Sequence, residues 1–311
     1  MTGSRVIALG HYLPEKVLTN ADLATIVDTS DEWIQSRVGV RERRVAGDED
    51  TIDMMAAAAA DKALAKSGLA PEEIDFVIVA TCTAFDRSPN IAARVARRLG
   101  ITAPAAMDVN TACSGFTHAL ATADLAIKGN SASKALVIGV ERMTDITDWA
   151  DRTTCVLVGD GAGAAVVVAS DQPTVSPVVW GSVPEMGEAV VIENDTFSQI
   201  GLTVYRWATT VLPEVAKKVC ETAGVRPEDL DAVVLHQANL RIVEPLAQRL
   251  GAVNAVVARD VVESGNTSAA SIPIALSKLI ERGEVPPGAL TLLLGFGGGL
   301  TYAGQVIRCP E

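Results

Sequence analysis

Aromatic residues make up only 4% of this 311-residue chain, too few for the stacking platforms of single-strand nucleic-acid binders. Net basic charge is also missing. Lys and Arg number 26 against 38 Asp and Glu, a formal charge of −12 that argues against general nucleic-acid binding. An anionic ligand would then need a local basic patch. The five cysteines (82, 113, 155, 220, 309) are odd in number and scattered, with no Cys-x-x-Cys pair, so neither a disulfide framework nor a zinc site is expected. The three histidines (11, 118, 236) form no ligand-spaced pair, and no metal is expected. No apolar run approaches the length of a membrane span, and Met1–Gly10 lacks a signal-peptide core. The expectation is a cytosolic protein with no membrane partner.

What is present is apolar material: 49% hydrophobic against 21% charged residues supports a well-packed core, in one large domain or two fused ones. Val6–Leu9 before Gly10 reads as a strand, and Leu13–Asn20 as a turn with Asn20 as a helix cap. Ser30 caps a helix that runs to Arg37, with acidic residues in its first turn. Thr51–Gly68 is an Ala-rich helix ended by glycine, Ile74–Ala80 a strand buried on both faces, and Pro89–Gly100 a basic helix. Ala105–Ile127 runs from an apolar strand through a small-residue elbow at Cys113 into an Ala/Leu-periodic helix. Ala135–Gly139 is another buried strand, and Thr154–Val168 reads as strand, glycine turn, strand. This alternation predicts an α/β protein with largely parallel sheets.

The second half repeats the first. Ser67–Val79 aligns with Ala223–Leu235 at an offset of 156, with Gly, Pro, Glu and Asp coinciding. Arg98-Leu-Gly100 matches Arg249-Leu-Gly251 at 151, and Asn110-Thr111 and Leu136–Gly139 return to 156 on Asn266-Thr267 and Leu292–Gly295. The ordered set identifies an internal duplication, with halves at 1–170 and 171–311 joined near Ser170–Pro177. Equivalent turns at the carboxyl ends of strands, where open α/β sheets bind ligands, can then converge on one cleft.

Three residues on such turns can carry chemistry. Cys113 at a helix start would feel unpaired N–H groups that favour thiolate, although a buried, inert cysteine is the alternative. Asn266 occupies the same elbow in the second half, where Ala269 is the counterpart of Cys113. His236 ends a strand at the position equivalent to Ala80. Singly, such a His is most often structural and a Gly-Asn pair a turn. Together they suit thioester chemistry, in which a thiolate attacks and neutral donors hold an oxyanion or enolate. The glycines of Leu292–Tyr302 let N–H groups approach a ligand, or simply turn a hairpin. Gly159–Ala164 precedes a strand run rather than a helix, which rejects a nucleotide loop.

Thr111–Phe116, His236–Asn239, Gly265–Ser271 and Gly295–Gly299, with Thr29–Ile34 and the Arg-Val-Gly-Val-Arg segment from Arg37, resemble the signatures of β-ketoacyl-acyl carrier protein synthase III. The resemblance runs nearly end to end. It implies the thiolase fold, five layers α-β-α-β-α, usually as a homodimer. It implies acylation of Cys113 by an acyl-CoA, followed by decarboxylative condensation with a malonyl-acyl carrier protein. No cofactor is implied beyond the coenzyme A thioester substrate. His236 and Asn266 would assist decarboxylation, the N–H groups of Cys113 and Gly298 would form an oxyanion hole, and Phe296 would wall the malonyl carboxylate. Trp33, Arg37, Arg152 and Asn239 match coenzyme A positions, and Arg206, Arg241 and Arg249 a patch for the acidic carrier protein.

Two departures bear on the acyl pocket. Val178–Thr203 is shorter than the usual segment, with Gln199 in place of the usual Met two residues before Gly201. Ser88 stands where acetyl-selective members donate a large aromatic across the dimer. With Gly201 and Tyr205, it implies a roomier acyl pocket and a starter other than acetyl. The competing reading is an acyltransferase of the same fold that passes the acyl group to a hydroxyl or amine without condensation.

Overall fold

Each half of the chain lays down a five-stranded sheet, and the two sheets have one topology in the computed structural model, which describes residues 3–86 and 88–311. The first runs β1 (Gly3–Tyr12), β7 (Asp160–Ser170), β6 (Lys134–Arg142), β4 (Phe76–Ala80), β5 (Ala105–Val109). The second runs β8 (Val179–Ser182), β14 (Thr301–Arg308), β13 (Leu290–Gly297), β11 (Ala232–Leu235), β12 (Val256–Val257). The offset of 156 relates the first residues of β4 and β11 and of β6 and β13. Each sheet is mixed rather than largely parallel, because β7 and β14 lie antiparallel to both neighbours. The reason is local: β7 and β14 return from β6 and β13 without a crossover helix, so they must run the opposite way.

Side-chain alternation builds the layers. In β4, Phe76, Ile78 and Ala80 face one core while Val77 and Val79 face another. The outer face of the first sheet is covered by α3 (Ile52–Ser67) and α4 (Ile91–Leu99). In β11, Ala232 and Val234 face the shared core, while Val233 and Leu235 pack under α6 (Gly201–Thr210), α7 (Leu212–Ala223) and α8 (Leu240–Leu250). Between the sheets lie α5 (Gly115–Lys128) and α10 (Ser271–Glu281), whose apolar residues join both inner faces in one cluster. The arrangement is five layers, α-β-α-β-α, and the two halves share their central core. No helix among the described residues is long and apolar enough to cross a membrane.

Two local expectations are corrected. Thr19 rather than Asn20 caps the short α1 (Asn20–Leu23), since its hydroxyl accepts the Asp22 N–H. Asn20 is instead buried, donating to Asp31 and Val40 and accepting from the buried Arg43 guanidinium. It ties α1 to α2 (Asp31–Val38) and to the small ladder of β2 (Val17–Thr19) with β3 (Glu42–Arg44). In Thr154–Val168, residues 154–157 form turns, and the glycines lie inside or beside β7 rather than in a hairpin. They are there for close approach. A β-carbon on Gly163 would stand 2.7 Å from the Ile274 nitrogen and from the Pro273 β-carbon at the start of α10.

Gly163→Ala is therefore expected to lower stability by about 1–3 kcal/mol, the usual cost of overpacking a closed core. The thermal unfolding midpoint measures it, and an unchanged midpoint would show that α10 can retreat from the sheet.

Candidate active site

Two elbows with the same backbone meet at the centre of the molecule. In the first half Ala112 N–H donates to Asn110 Oδ1 at 3.2 Å, and in the second Ser268 N–H donates to Asn266 Oδ1 at 2.9 Å. Ala112 and Ser268 both take left-handed conformations, with φ of +47° and +46°. A 3-10 turn follows in each, Ala112–Ser114 and Ser268–Ala270, leading into α5 and α10. Gly115 lets the elbows touch: a β-carbon there would lie 2.9 Å from that of Ala80 and 3.1 Å from that of Ala269.

Cys113 stands on the first turn at the wall of a cavity of about 390 Å³. The hairpin of β9 (Val190–Glu193) and β10 (Thr196–Gln199) supplies apolar lining through Val190, Val191, Ile192 and Phe197, joined by Met143. Gly298 and Ser268 line the same cavity beside Cys113. Gly297 presses on the cysteine, where a β-carbon would sit 2.6 Å from Cys113 Cβ. Burial pushes the thiol up to about 11, the Ser268 hydrogen bond opposing this and the nearby Glu141 charge adding to it. The thiolate expected from the helix start is thus corrected: α5 begins two residues later, and desolvation outweighs its N–H groups.

His236 and Asn266 come to the same centre from the second half. His236 is buried, and desolvation lowers its pKa to about 3, so the imidazole is neutral. Its Nδ1 lies 2.7 Å from Ser271 Oγ, and its ring meets Phe296 edge-on at 5.2 Å. Since Phe296 directly precedes Gly297, the contacts of these neighbours join His236 to Cys113. Asn266 has its Oδ1 engaged by Ser268, which leaves the amide NH2 to donate.

Reading the sequence missed Glu141. It ends the apolar run of β6, fully buried, and accepts from Thr83 Oγ1 at 2.7 Å, Cys82 N at 3.0 Å, Thr81 Oγ1 at 3.1 Å and Ser268 Oγ at 3.0 Å. Burial raises its pKa. The available signal was a lone acid two residues past Gly139, at the carboxyl end of a buried strand.

The remaining predicted positions separate into groups. Arg152 lies over the Trp33 ring at 4.9 Å, a cation–π contact, and donates to Asp28 O at 3.0 Å. Arg37 is exposed one turn beyond Trp33 on α2. Asn239 caps α8 by accepting the Ile242 N–H at 3.2 Å. Arg249 on α8 donates to Thr209 O of α6, the helix that carries the exposed Arg206. Arg241 is exposed at the other end of α8, beside Leu240, which packs on Gly39 at the end of α2. Ser88, Gly201 and Tyr205 are exposed and do not line the cavity of the single chain. The apolar lining comes mainly from the β9–β10 hairpin, which lies between Ser88 and Gly201 in sequence.

Comparison with known proteins places this geometry. The family models for 3-oxoacyl-[acyl-carrier-protein] synthase III and for its C-terminal part match residues 107–184 and 220–309. The chain is 67% identical over 315 residues to β-ketoacyl-[acyl-carrier-protein] synthase III 2 of Streptomyces avermitilis, covering 100% of both chains. The priming β-ketosynthase of the R1128 polyketide pathway superposes with a TM-score of 0.96 at 40% identity, covering 99% of this chain and 97% of that one. The 3-oxoacyl-[acyl-carrier-protein] synthase III of Aquifex aeolicus gives a TM-score of 0.94 at 43% identity, covering 98% of this chain and 100% of that one.

A protonated resting Cys113 is checked by difference absorbance at about 240 nm, where thiolates absorb, between the protein and Cys113→Ala. No Cys113 signal is expected at about pH 8, where an ordinary free thiol is already partly ionised. A signal complete by neutral pH would mean that the elbow's N–H groups outweigh burial.

Proposed function

The chain belongs to the 3-oxoacyl-[acyl-carrier-protein] synthase III family and has its thiolase fold, and from that premise we propose how its own residues divide the reaction. The protein is a condensing synthase that initiates fatty-acid or polyketide synthesis. Acyl-CoA and a malonyl-acyl carrier protein are its substrates. The observation that carries the reading is Cys113 at the wall of a cavity shared by both elbows, with Gly298 and Ser268 beside it.

In acylation, Cys113 sulfur bonds to the acyl carbonyl carbon and the bond to the coenzyme A sulfur breaks. The N–H groups of Cys113 and Gly298 hold the oxyanion between these events. In condensation, the malonyl C–C bond to the carboxylate breaks, CO2 departs, and the electron pair remains as an enolate. His236 Nδ1 pairs with Ser271 Oγ at 2.7 Å, and with the Ser271 hydroxyl donating in that bond the imidazole carries its proton on Nε2. His236 Nε2–H and the Asn266 NH2 are then two neutral donors for the enolate oxygen. Phe296, buried against His236, supplies the apolar wall that favours loss of the charged carboxylate. The enolate carbon attacks the Cys113 thioester, the C–S bond breaks, and the sulfur is released to take up a proton.

Trp33, Arg37 and Arg152 hold the adenine and phosphates of coenzyme A, supported by the Arg152–Trp33 stack at the surface. Arg206, Arg241 and Arg249 form the carrier-protein patch, with Arg206 on α6 and the other two on α8. Homodimerisation through β5 is supported by its open edge, with Met107 and Phe85 exposed near it. The Ser88 loop reaches the same edge, because the Asn90 side chain donates to Ala106 O of β5 at 3.1 Å. Ser88 would therefore face the partner's pocket. The apolar lining by Val190, Val191, Ile192, Phe197 and Met143 favours a branched or longer starter.

Cys113→Ala is expected to abolish acylation by acyl-CoA, as read by intact-protein mass. Asn266→Ala should still be acylated yet lose CO2 release and β-keto product by about 10²-fold, the scale for removing one oxyanion donor. If Asn266→Ala blocks acylation, its assignment to the enolate is wrong. In a panel of acyl-CoAs, branched or longer chains should load Cys113 faster than acetyl-CoA; strict preference for acetyl would refute the proposed starter class.

A further inference from the structure

Glu141 is a buried carboxylate facing the nucleophile's elbow without an ion-pair partner among the described residues. Its surroundings are a ring of donors. Besides the threonine hydroxyls, the N–H groups of Cys82 and Ala269 and the thiol of Cys82 lie at 3.0, 3.4 and 3.2 Å. Two of these are backbone N–H groups that can only donate, so the site is built for the ionised carboxylate. The titratable groups facing it are the thiols of Cys82 and Cys113.

Ser268 stands between Glu141 and the nucleophile. Its hydroxyl is 3.0 Å from Glu141 Oε1 and 3.6 Å from Cys82 Sγ, and Ser268 lines the same cavity wall as Cys113. A hydroxyl can accept from the thiol while it donates to the carboxylate. The internal duplication shows that this pair is not part of the common framework. At the offset of 156, the counterpart of Ser268 is Ala112 and that of Glu141 is Gly297. Around the pseudo-twofold, Gly297 presses on Cys113 while Glu141 accepts the N–H of Ala269, the counterpart of Cys113. One half lacks a carboxylate where the other buries one.

We propose that Glu141, acting through Ser268, takes the Cys113 proton during acylation. The proposal rests on Cys113 being the acyl acceptor. As the sulfur bonds to the acyl carbon, its proton passes to Ser268 Oγ, and the Ser268 proton passes to Glu141. When the bond to the coenzyme A sulfur breaks, the same chain returns a proton to the leaving thiolate. Glu141 ends the step ionised, as it began, and no other reactant is consumed. Glu141 is thus a positioning residue for proton transfer that never touches the substrate. His236 and Asn266 are left as neutral donors for the second half-reaction.

Single-turnover acylation by isobutyryl-CoA, followed by intact-protein mass across pH, tests the chain. The native protein should load at a rate nearly flat through neutral pH. Glu141→Gln should slow loading by about 10²-fold, in the range for loss of a positioned base, and the residual rate should climb about tenfold per pH unit as hydroxide replaces it. Ser268→Ala should show the same slope with the carboxylate retained. Alanine suits this backbone, since Ala112 adopts the same left-handed conformation at the equivalent position. A flat profile in both variants, whatever their rate, would overturn the relay and leave Glu141 a structural group. Faster loading by Glu141→Gln would overturn it too, by showing that the carboxylate acts only by repelling the thiolate. If the native protein itself takes up no acyl group, it is the assignment of Cys113 that fails. Should Glu141→Gln not fold, Ser268→Ala alone decides.

Discussion

Everything at the centre of this protein depends on two backbones being allowed to touch. The Cys113 elbow and the Asn266 elbow meet across Gly115, Ala80 and Ala269, and Gly139 and Gly295 remove side chains where the sheets reach the opposing turns. Gly295 lies against Ser114 and Thr117, and Gly139 against the Ala269 carbonyl. Larger residues at these positions would separate the elbows and move Cys113 away from Gly298 and Ser268 of the second half. Small residues at the contact thus serve catalysis as much as packing. The shared core of α5 and α10 between the sheets keeps that contact at a fixed distance.

The electrostatics of the site follow from its dryness. Burial holds the Cys113 thiol protonated and the His236 imidazole neutral. Charge is therefore scarce where the chemistry happens. Developing negative charge is met by N–H groups and amides, which need no reorganisation when it appears. The cost is that the nucleophile must lose its proton inside the protein, and the buried carboxylate beyond Ser268 is the acceptor in reach.

Duplication supplied two equivalent elbows, and function came from making them unequal. The same Asn side chain turns the chain in both, and the same left-handed residue follows. One copy then carries the thiol and the other carries His236 and Asn266. The surface is built similarly: α2 with Trp33 and Arg37 lies beside α8 of the second half, so this face also draws on both copies.

The duplication and most of the order of strands and helices were legible in the sequence. Each depends on periodicity or on a turn whose chemistry is local. The capping of α1 was misread because Thr19 and Asn20 are both good caps, and only the demand of the buried Arg43 guanidinium for an acceptor assigns Asn20 elsewhere. The protonation state of Cys113 was misread because a helix start is a local feature, whereas desolvation is summed over the whole surrounding structure. The part that residues 190–197 play in lining the cavity beside Cys113 was not legible, since a hairpin's approach to a distant turn has no sequence period. Glu141 was invisible for the same reason: its partners come from residues 81–83 and 268–269, and only the folded chain puts them around one carboxylate.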